Sequence, residues 1–193
     1  MTWPEGDVYE VRSDDSELRI VVYPDGPLAR FGHAHVIGGA TVRGRVILAE
    51  TLEESALRLD IDARTLEVDR PSWREAEGLD PDMSPDAIAG TRENMRSNAL
   101  LDVDRHPLIT VESIGLSGPG WQPDIEAKIT LRGQTRELTV PIALSVDDER
   151  MTATGRLVLR QSDFGIAPFS AAGGSLRVAD EVMVRFRIVA VAD

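Results

Sequence analysis

What most constrains this chain is a period of two. In ALRLDIDAR (56–64), Leu57, Leu59 and Ile61 share one face while Arg58, Asp60 and Asp62 share the other. TVRGRVIL (41–48) sets Val42, Val46 and Leu48 against Arg43 and Arg45, and DIEAKITLR (124–132) sets Ile125, Ala127, Ile129 and Leu131 against Glu126, Lys128 and Thr130. RMTATGRLVLR (150–160) separates Met151, Ala153, Leu157 and Leu159 from Thr152, Thr154, Arg156 and Arg160. EVMVRFRIVAV (181–191) repeats the pattern with Val182, Val184, Phe186 and Ile188. Successive side chains of a strand point to opposite faces, so runs of this kind make antiparallel sheet with one dry and one wet face. ELRIVVY (17–23) and ELTVPIALSV (137–146) are partly apolar on both faces, which calls for cover from an insertion or a partner subunit.

Turn residues separate the runs at YPDGP (23–27), SGPG (117–120), RGQT (132–135) and DDE (147–149). Strands joined by short turns in this way predict a meandering barrel or a sandwich. The rhythm breaks at 70–102. There Ser84, Pro85 and Asp86 supply a capping hydroxyl, a proline for the first helical turn and an acid for the positive helix end. Ile88, Thr91, Met95 and Ala99 follow at helical spacing, predicting a helix over 85–98, with a shorter one over 72–78. The stretch 70–84 is placed to lid one mouth of a barrel. With no repeat or linker in its 193 residues, the chain reads as one domain, 1–193.

The charge balance, 21 basic against 33 acidic residues for a net of −12, repels phosphate backbones and anionic lipid surfaces. No nucleic-acid partner and no membrane insertion are therefore expected. The absence of cysteine excludes disulfides, thiol catalysis and thiolate metal sites. MTWPEGDVYEV shows no basic and apolar leader, so the expected location is cytoplasmic.

Motifs for phosphate-binding loops, serine elbows and helix-borne zinc sites are lacking. The carboxylates Asp60 and Asp62 fall on a wet strand face. ARFGHAHVIGG (29–39) carries two of the three histidines. On one extended strand His33 and His35 would face the same way, about 7 Å apart. Such a pair could begin a zinc, copper or iron site, or perform acid–base work with a nearby carboxylate. His106, in DRHPL, sits at a turn entry, and nothing in the sequence brings it to the pair. The preferred expectation is no metal and no catalytic residue, with the two imidazoles rimming a pocket or orienting a ligand headgroup.

Three blocks carry a family resemblance. LLDVDRHPLITVES (100–113), KITLRGQTRELTVPIAL (128–144) and LRQSDFGI (159–166) resemble, in order and spacing, successive blocks of the YceI-like family. VRGRVIL (42–48) matches more weakly, and VADEVMVRFRIVA (178–190) is similar to the family's closing strand. The resemblance implies a mainly β fold: a lipocalin-like antiparallel eight-stranded barrel, here with a helical insertion around 70–100. It also implies non-catalytic binding of a long isoprenoid, quinone or lipid, for storage, transport or sensing, with no cofactor beyond that ligand, and a homodimer as in many members of the family. An eight-stranded barrel has room for one slender ligand. Alternation nominates Phe31, His33 and His35 on one strand face, and Phe164, Ile166 and Phe169 around the Asp-Phe-Gly turn, as ligand contacts, with Asp163 and Arg160 anchoring that turn. The competing readings are a histidine-dependent metal protein or enzyme, and a scaffold whose acidic surface and insertion recognise a partner protein.

Overall fold

The structure is a computed structural model that describes residues 3–147 and 149–193. The chain runs through β1 (Asp7–Val11), β2 (Glu17–Val22), β3 (Pro24–Asp25), β4 (His35–Gly38), β5 (Thr41–Leu48), β6 (Ala56–Asp62) and β7 (Glu67–Val68). Two helices follow, α1 (Pro71–Ala76) and α2 (Pro85–Arg96). The second half is sheet: β8 (Leu108–Ser117), β9 (Asp124–Leu131), β10 (Gln134–Val146), β11 (Arg150–Arg160), β12 (Ser170–Ala171), β13 (Leu176–Val178) and β14 (Glu181–Ala192).

A barrel of eight antiparallel strands closes in the order β1-β5-β6-β8-β9-β10-β11-β14, with β14 returning to β1 through Tyr9↔Ala192 to Val11↔Ala190. The RGQT turn is a two-residue hairpin joining β9 to β10, with Leu131 opposite Gln134 and both Arg132 (φ 51) and Gly133 (φ 72) left-handed. That geometry matches strand twist and favours glycine at its second position. The Arg132 guanidinium then ties the hairpin to its surroundings, donating to Gly165 O at 2.9 Å and Asn98 O at 2.7 Å. The expected turn at 147–149 lies between β10 and β11, and residue 148 is outside the described residues.

One feature of the wall is not periodic. β1 and β2 are interrupted by a 3-10 turn at Ser13–Asp15, and β14 pairs with β1 at its far end but with β2 nearer its start. The wall therefore divides: one branch continues through β5, the other through β4 to β7. Two serines take the backbone donors freed by the break. Ser13 Oγ accepts from Val42 N–H and Ser16 Oγ from Val189 N–H, each at 3.0 Å. Beyond β7 the wall is completed by α2, which packs Met95 and Ile88 against Ile37, Leu66, Val68 and Val103.

The helices fall close to their sequence expectations, starting at Pro85 and Pro71; α2 ends at Arg96, because the Ser97 N–H closes back on Glu93 O at 3.0 Å and Ser97 itself is extended. The Ser84 hydroxyl accepts from Ala87 N–H at 3.2 Å. Replacing it with alanine, Ser84→Ala, should cost about 1 kcal/mol in urea unfolding. The segment 70–84 does not lid the barrel. Instead α1 packs against β4, where Trp73 lies on Gly38 and Gly39; a Cβ on Gly39 would come within 2.9 Å of the indole. Glu77 takes Arg185 of β14 at 2.6 Å on the same side. This insertion covers the second apolar face of β2 and β4, where Val21 and Val36 are fully buried. The run 137–146 is different: its outer residues Pro141 and Ala143 are exposed.

Candidate functional site

Inward residues of seven of the barrel strands, β5, β6, β8, β9, β10, β11 and β14, together with β2 and β4, surround a cavity of about 360 Å³, a size within the range of small-molecule pockets. Its wall is built from the alternating sets: Leu57, Leu59 and Ile61 from β6; Ile125, Ala127, Ile129 and Leu131 from β9; Met151, Ala153, Leu157 and Leu159 from β11; Val182, Val184, Phe186 and Ile188 from β14. Leu57, Leu59, Val111, Leu157 and Phe186 all point inward from strands yet stay only partly buried. In a filled core such residues would be sealed by their neighbours. Here they face internal space. Gly155 contributes to its shape, because the Phe186 ring lies so close over it that a Cβ would meet Cζ at 2.5 Å.

The two ends differ. At one, Tyr9, Met151 and Ala190 form a buried cluster with Leu48 and Leu144 against it, and Leu52 and the buried Ser55 line the floor. At the other, His35, Thr91, Asn94, Arg160 and Gln161 line the cavity beside Phe169. Asn94, Arg160 and Phe169 are solvent-exposed as well as cavity-lining, so this end is the mouth. The small sheet β12-β13-β3 stands next to it.

His35 is the best-supported polar group of the mouth. Its Nδ1 lies 2.6 Å from Asp69 Oδ2, while Asp69 Oδ1 accepts from Val36 N–H at 2.9 Å and from the Arg74 guanidinium at 2.8 Å. Arg74 reaches on to Ala34 O at 2.7 Å and to Asp80 O. Asp69 and Arg74 are only 1% and 3% exposed. Burial pushes the Asp69 carboxyl upward, but the hydrogen bonds from His35, Val36 and Arg74 outweigh it and hold the group below the usual carboxylate range. Asp69 also sits at φ 54, a left-handed conformation that aspartate tolerates better than most residues.

Other carboxyls are held down too: Asp180 by hydrogen bonds from the Ser162 hydroxyl and N–H, and Glu67 by Arg70. For each, the folded value lies below the unfolded one. The unfolded chain therefore binds more protons in acid, and the associated stability is complete above the ordinary carboxylate range and lost as pH falls through it. The urea midpoint should be lower at about pH 3 than at about pH 6, and Asp69→Asn should remove part of that difference.

The structure brings together His35, Phe164, Ile166 and Phe169, all of which line the cavity. It leaves out Phe31 and His33. Phe31 is 62% exposed in a 3-10 turn at Ala29–Phe31, with the Arg30 guanidinium 4.7 Å over its ring. His33 is exposed in the loop before β4, so the expectation that both histidines share a strand face fails: β4 begins only at His35. The turn at 161–165 is also anchored differently from expectation. Asp180 holds it through Ser162 N–H at 2.8 Å and Ser162 Oγ at 2.5 Å; Asp163 is exposed, and Arg160 pairs across the strands with Glu181 at 3.3 Å. Sequence reasoning missed Asp69, Arg74, Thr91 and Asn94. Asp69 and Arg74 flank the Pro71 helix start and read locally as an ordinary charged helix entry. Among the described residues no group of three His, Asp or Glu side chains is arranged to hold a metal ion, and no helix is long and apolar enough to cross a membrane.

Closed antiparallel wall, apolar interior and polar mouth define a lipocalin-like barrel with an internal cavity. The YceI-like domain profile matches residues 9–190, and the chain belongs to that family. Its structure is similar to that of Burkholderia cenocepacia BcnA, with a TM-score of 0.66, 16% identity and coverage of 93% of this chain and 98% of that one. It is equally similar to a polyisoprenoid binding domain from Saccharophagus degradans implicated in plant cell wall breakdown, with a TM-score of 0.66, 16% identity and coverage of 96% and 98%. The Campylobacter jejuni YceI protein is more distant, at a TM-score of 0.57 and 9% identity, covering 79% of this chain and 81% of that one. No curated protein matches significantly.

Proposed function

We propose that this protein binds, without catalysis, one long-chain apolar or amphiphilic molecule such as an isoprenoid, quinone or lipid, for storage, transport or sensing. The carrying observation is the form of the cavity: apolar along its length, closed at the end near Tyr9 and polar at the end near His35. A tail laid along the wall gains about 0.8 kcal/mol for each methylene taken from water. Apart from Ser55 on the floor, whose hydroxyl accepts from Ala49 N–H and donates to Thr51 O, the polar groups sit where a headgroup would meet solvent. The similarity to a polyisoprenoid binding domain supports the same reading.

The test is native mass spectrometry of the purified chain, followed by organic extraction and titration with polyprenols and quinones. One long-chain molecule per barrel is the expected result. A protein that carries none and refuses both ligand types would overturn the proposal. Ala153→Trp puts an indole into the cavity from β11 and should weaken binding by about tenfold or more, since steric exclusion cannot be relieved in a closed wall. Circular dichroism should show the fold retained.

A further inference from the structure

Three properties of His35 fix what its ring can offer. It opens β4 on the cavity side of the wall, at the mouth. Its Nδ1 is committed to Asp69 at 2.6 Å, and Asp69 is itself committed to Arg74 and to the Val36 N–H. A carboxylate only accepts, so the hydrogen in the imidazole bond sits on Nδ1. In the neutral ring Nε2 then carries a lone pair and no hydrogen. The ring bond opposite Nδ1 is the one between Nε2 and Cδ2, so the edge turned away from Asp69 is the edge that bears this acceptor. Two of the other polar lining groups are already engaged, Gln161 Nε2 with Ala179 O at 2.9 Å and Arg160 with Glu181 at 3.3 Å.

We infer that His35 Nε2 is the headgroup acceptor of the cavity, so that the barrel selects an amphiphile whose polar end carries an O–H donor, an alcohol or a phenol, over the same tail ending in an ether. This rests on the ligand reading above and specifies the head. Asp69 and Arg74 are positioning residues: they set the tautomer and hold the ring, and touch no ligand. The division of labour follows from magnitudes. The tail supplies most of the affinity through many methylenes, whereas one neutral hydrogen bond contributes little affinity but separates ligands of equal tail.

The experiment is calorimetric titration of the full chain with geranylgeraniol and with its methyl ether. The wild type should bind the alcohol about fivefold more tightly, the difference one neutral hydrogen bond makes. His35→Asn keeps an N–H for Asp69 but has no atom at Nε2; it should bring the affinities of the two ligands to within roughly twofold of each other. Nitrogen NMR of the wild type gives a second reading that does not depend on the variant folding. The His35 Nε2 resonance should move on adding the alcohol and stay on adding the ether, with Nδ1 protonated throughout. Equal affinity for the two ligands in the wild type, a preference that survives in His35→Asn, or a protonated Nε2 in the free protein would each overturn the inference while leaving tail binding intact. If neither compound binds, the ligand reading fails and the inference goes with it.

Discussion

Asp69→Ala is expected to lower the unfolding free energy by about 3–5 kcal/mol, the cost of leaving one partner of a buried ion pair behind. The carboxylate is fully enclosed and takes hydrogen bonds from His35, Val36 N–H and Arg74. Its removal strands a guanidinium whose side chain is only 4% exposed, and leaves the Val36 N–H without its side-chain acceptor. Alanine at φ 54 adds strain of about 1–2 kcal/mol, because only glycine, asparagine and aspartate adopt that region readily. Asp69→Asn separates the two contributions. It fills the same space and tolerates the same backbone, but withdraws the charge from Arg74, so it should fall between wild type and alanine. Urea unfolding with an unchanged m-value reads the difference. A loss below about 1 kcal/mol would mean that Arg74 regains water at little cost and that the network is peripheral.

The second large effect is expected at Phe164, which is 2% exposed in the Asp-Phe-Gly turn and belongs to the buried cluster that also holds Ile125, Ile129, Val140, Ile142 and Ile166. Phe164→Ala should cost about 3–5 kcal/mol, through lost burial and the void left in a wall that cannot collapse around it. Because the ring also lines the cavity, truncation joins that void to the ligand space. The variant should therefore accept bulkier tails than the wild type, as competition between straight and branched ligands would show. A cost near the bottom of the usual range for mutations, about 0.5–1 kcal/mol, would show instead that the ring stabilises little and acts as a cavity surface. Asp69 bonds to His35, Val36 and Arg74 whereas Phe164 belongs to a separate apolar cluster, so the effects of these two changes should add to within about 0.5 kcal/mol.

Particular residues show where sequence reasoning ended. Leu57, Leu59 and Ile61 were legible as one face because strand geometry alone decides their direction. The hairpin at Arg132 and Gly133 and the helix start at Ser84 were legible for the same reason: each is settled within a few residues of chain. His33 was misread, since parity between His33 and His35 holds only if the strand has already begun. It begins at His35, where Val22 across the sheet gives it a partner. Asp69 was invisible because its partners come from β4 and α1, and no local pattern distinguishes a buried aspartate from a solvated one before a proline.

The sequence by itself determined antiparallel sheet, its inner and outer faces, its tight turns and its helical insertion, because these follow from periodicity and local backbone preference; the choice of barrel over sandwich came only through the family resemblance. The tertiary structure decided the division of the wall at Ser13–Ser16, the brace of Arg74 and Asp69 behind His35, and the cavity itself. A leucine in a packed core and a leucine beside open space have the same neighbours along the chain. Which one it is depends on how strands far apart in sequence curve around one axis, and on the volume their side chains leave between them.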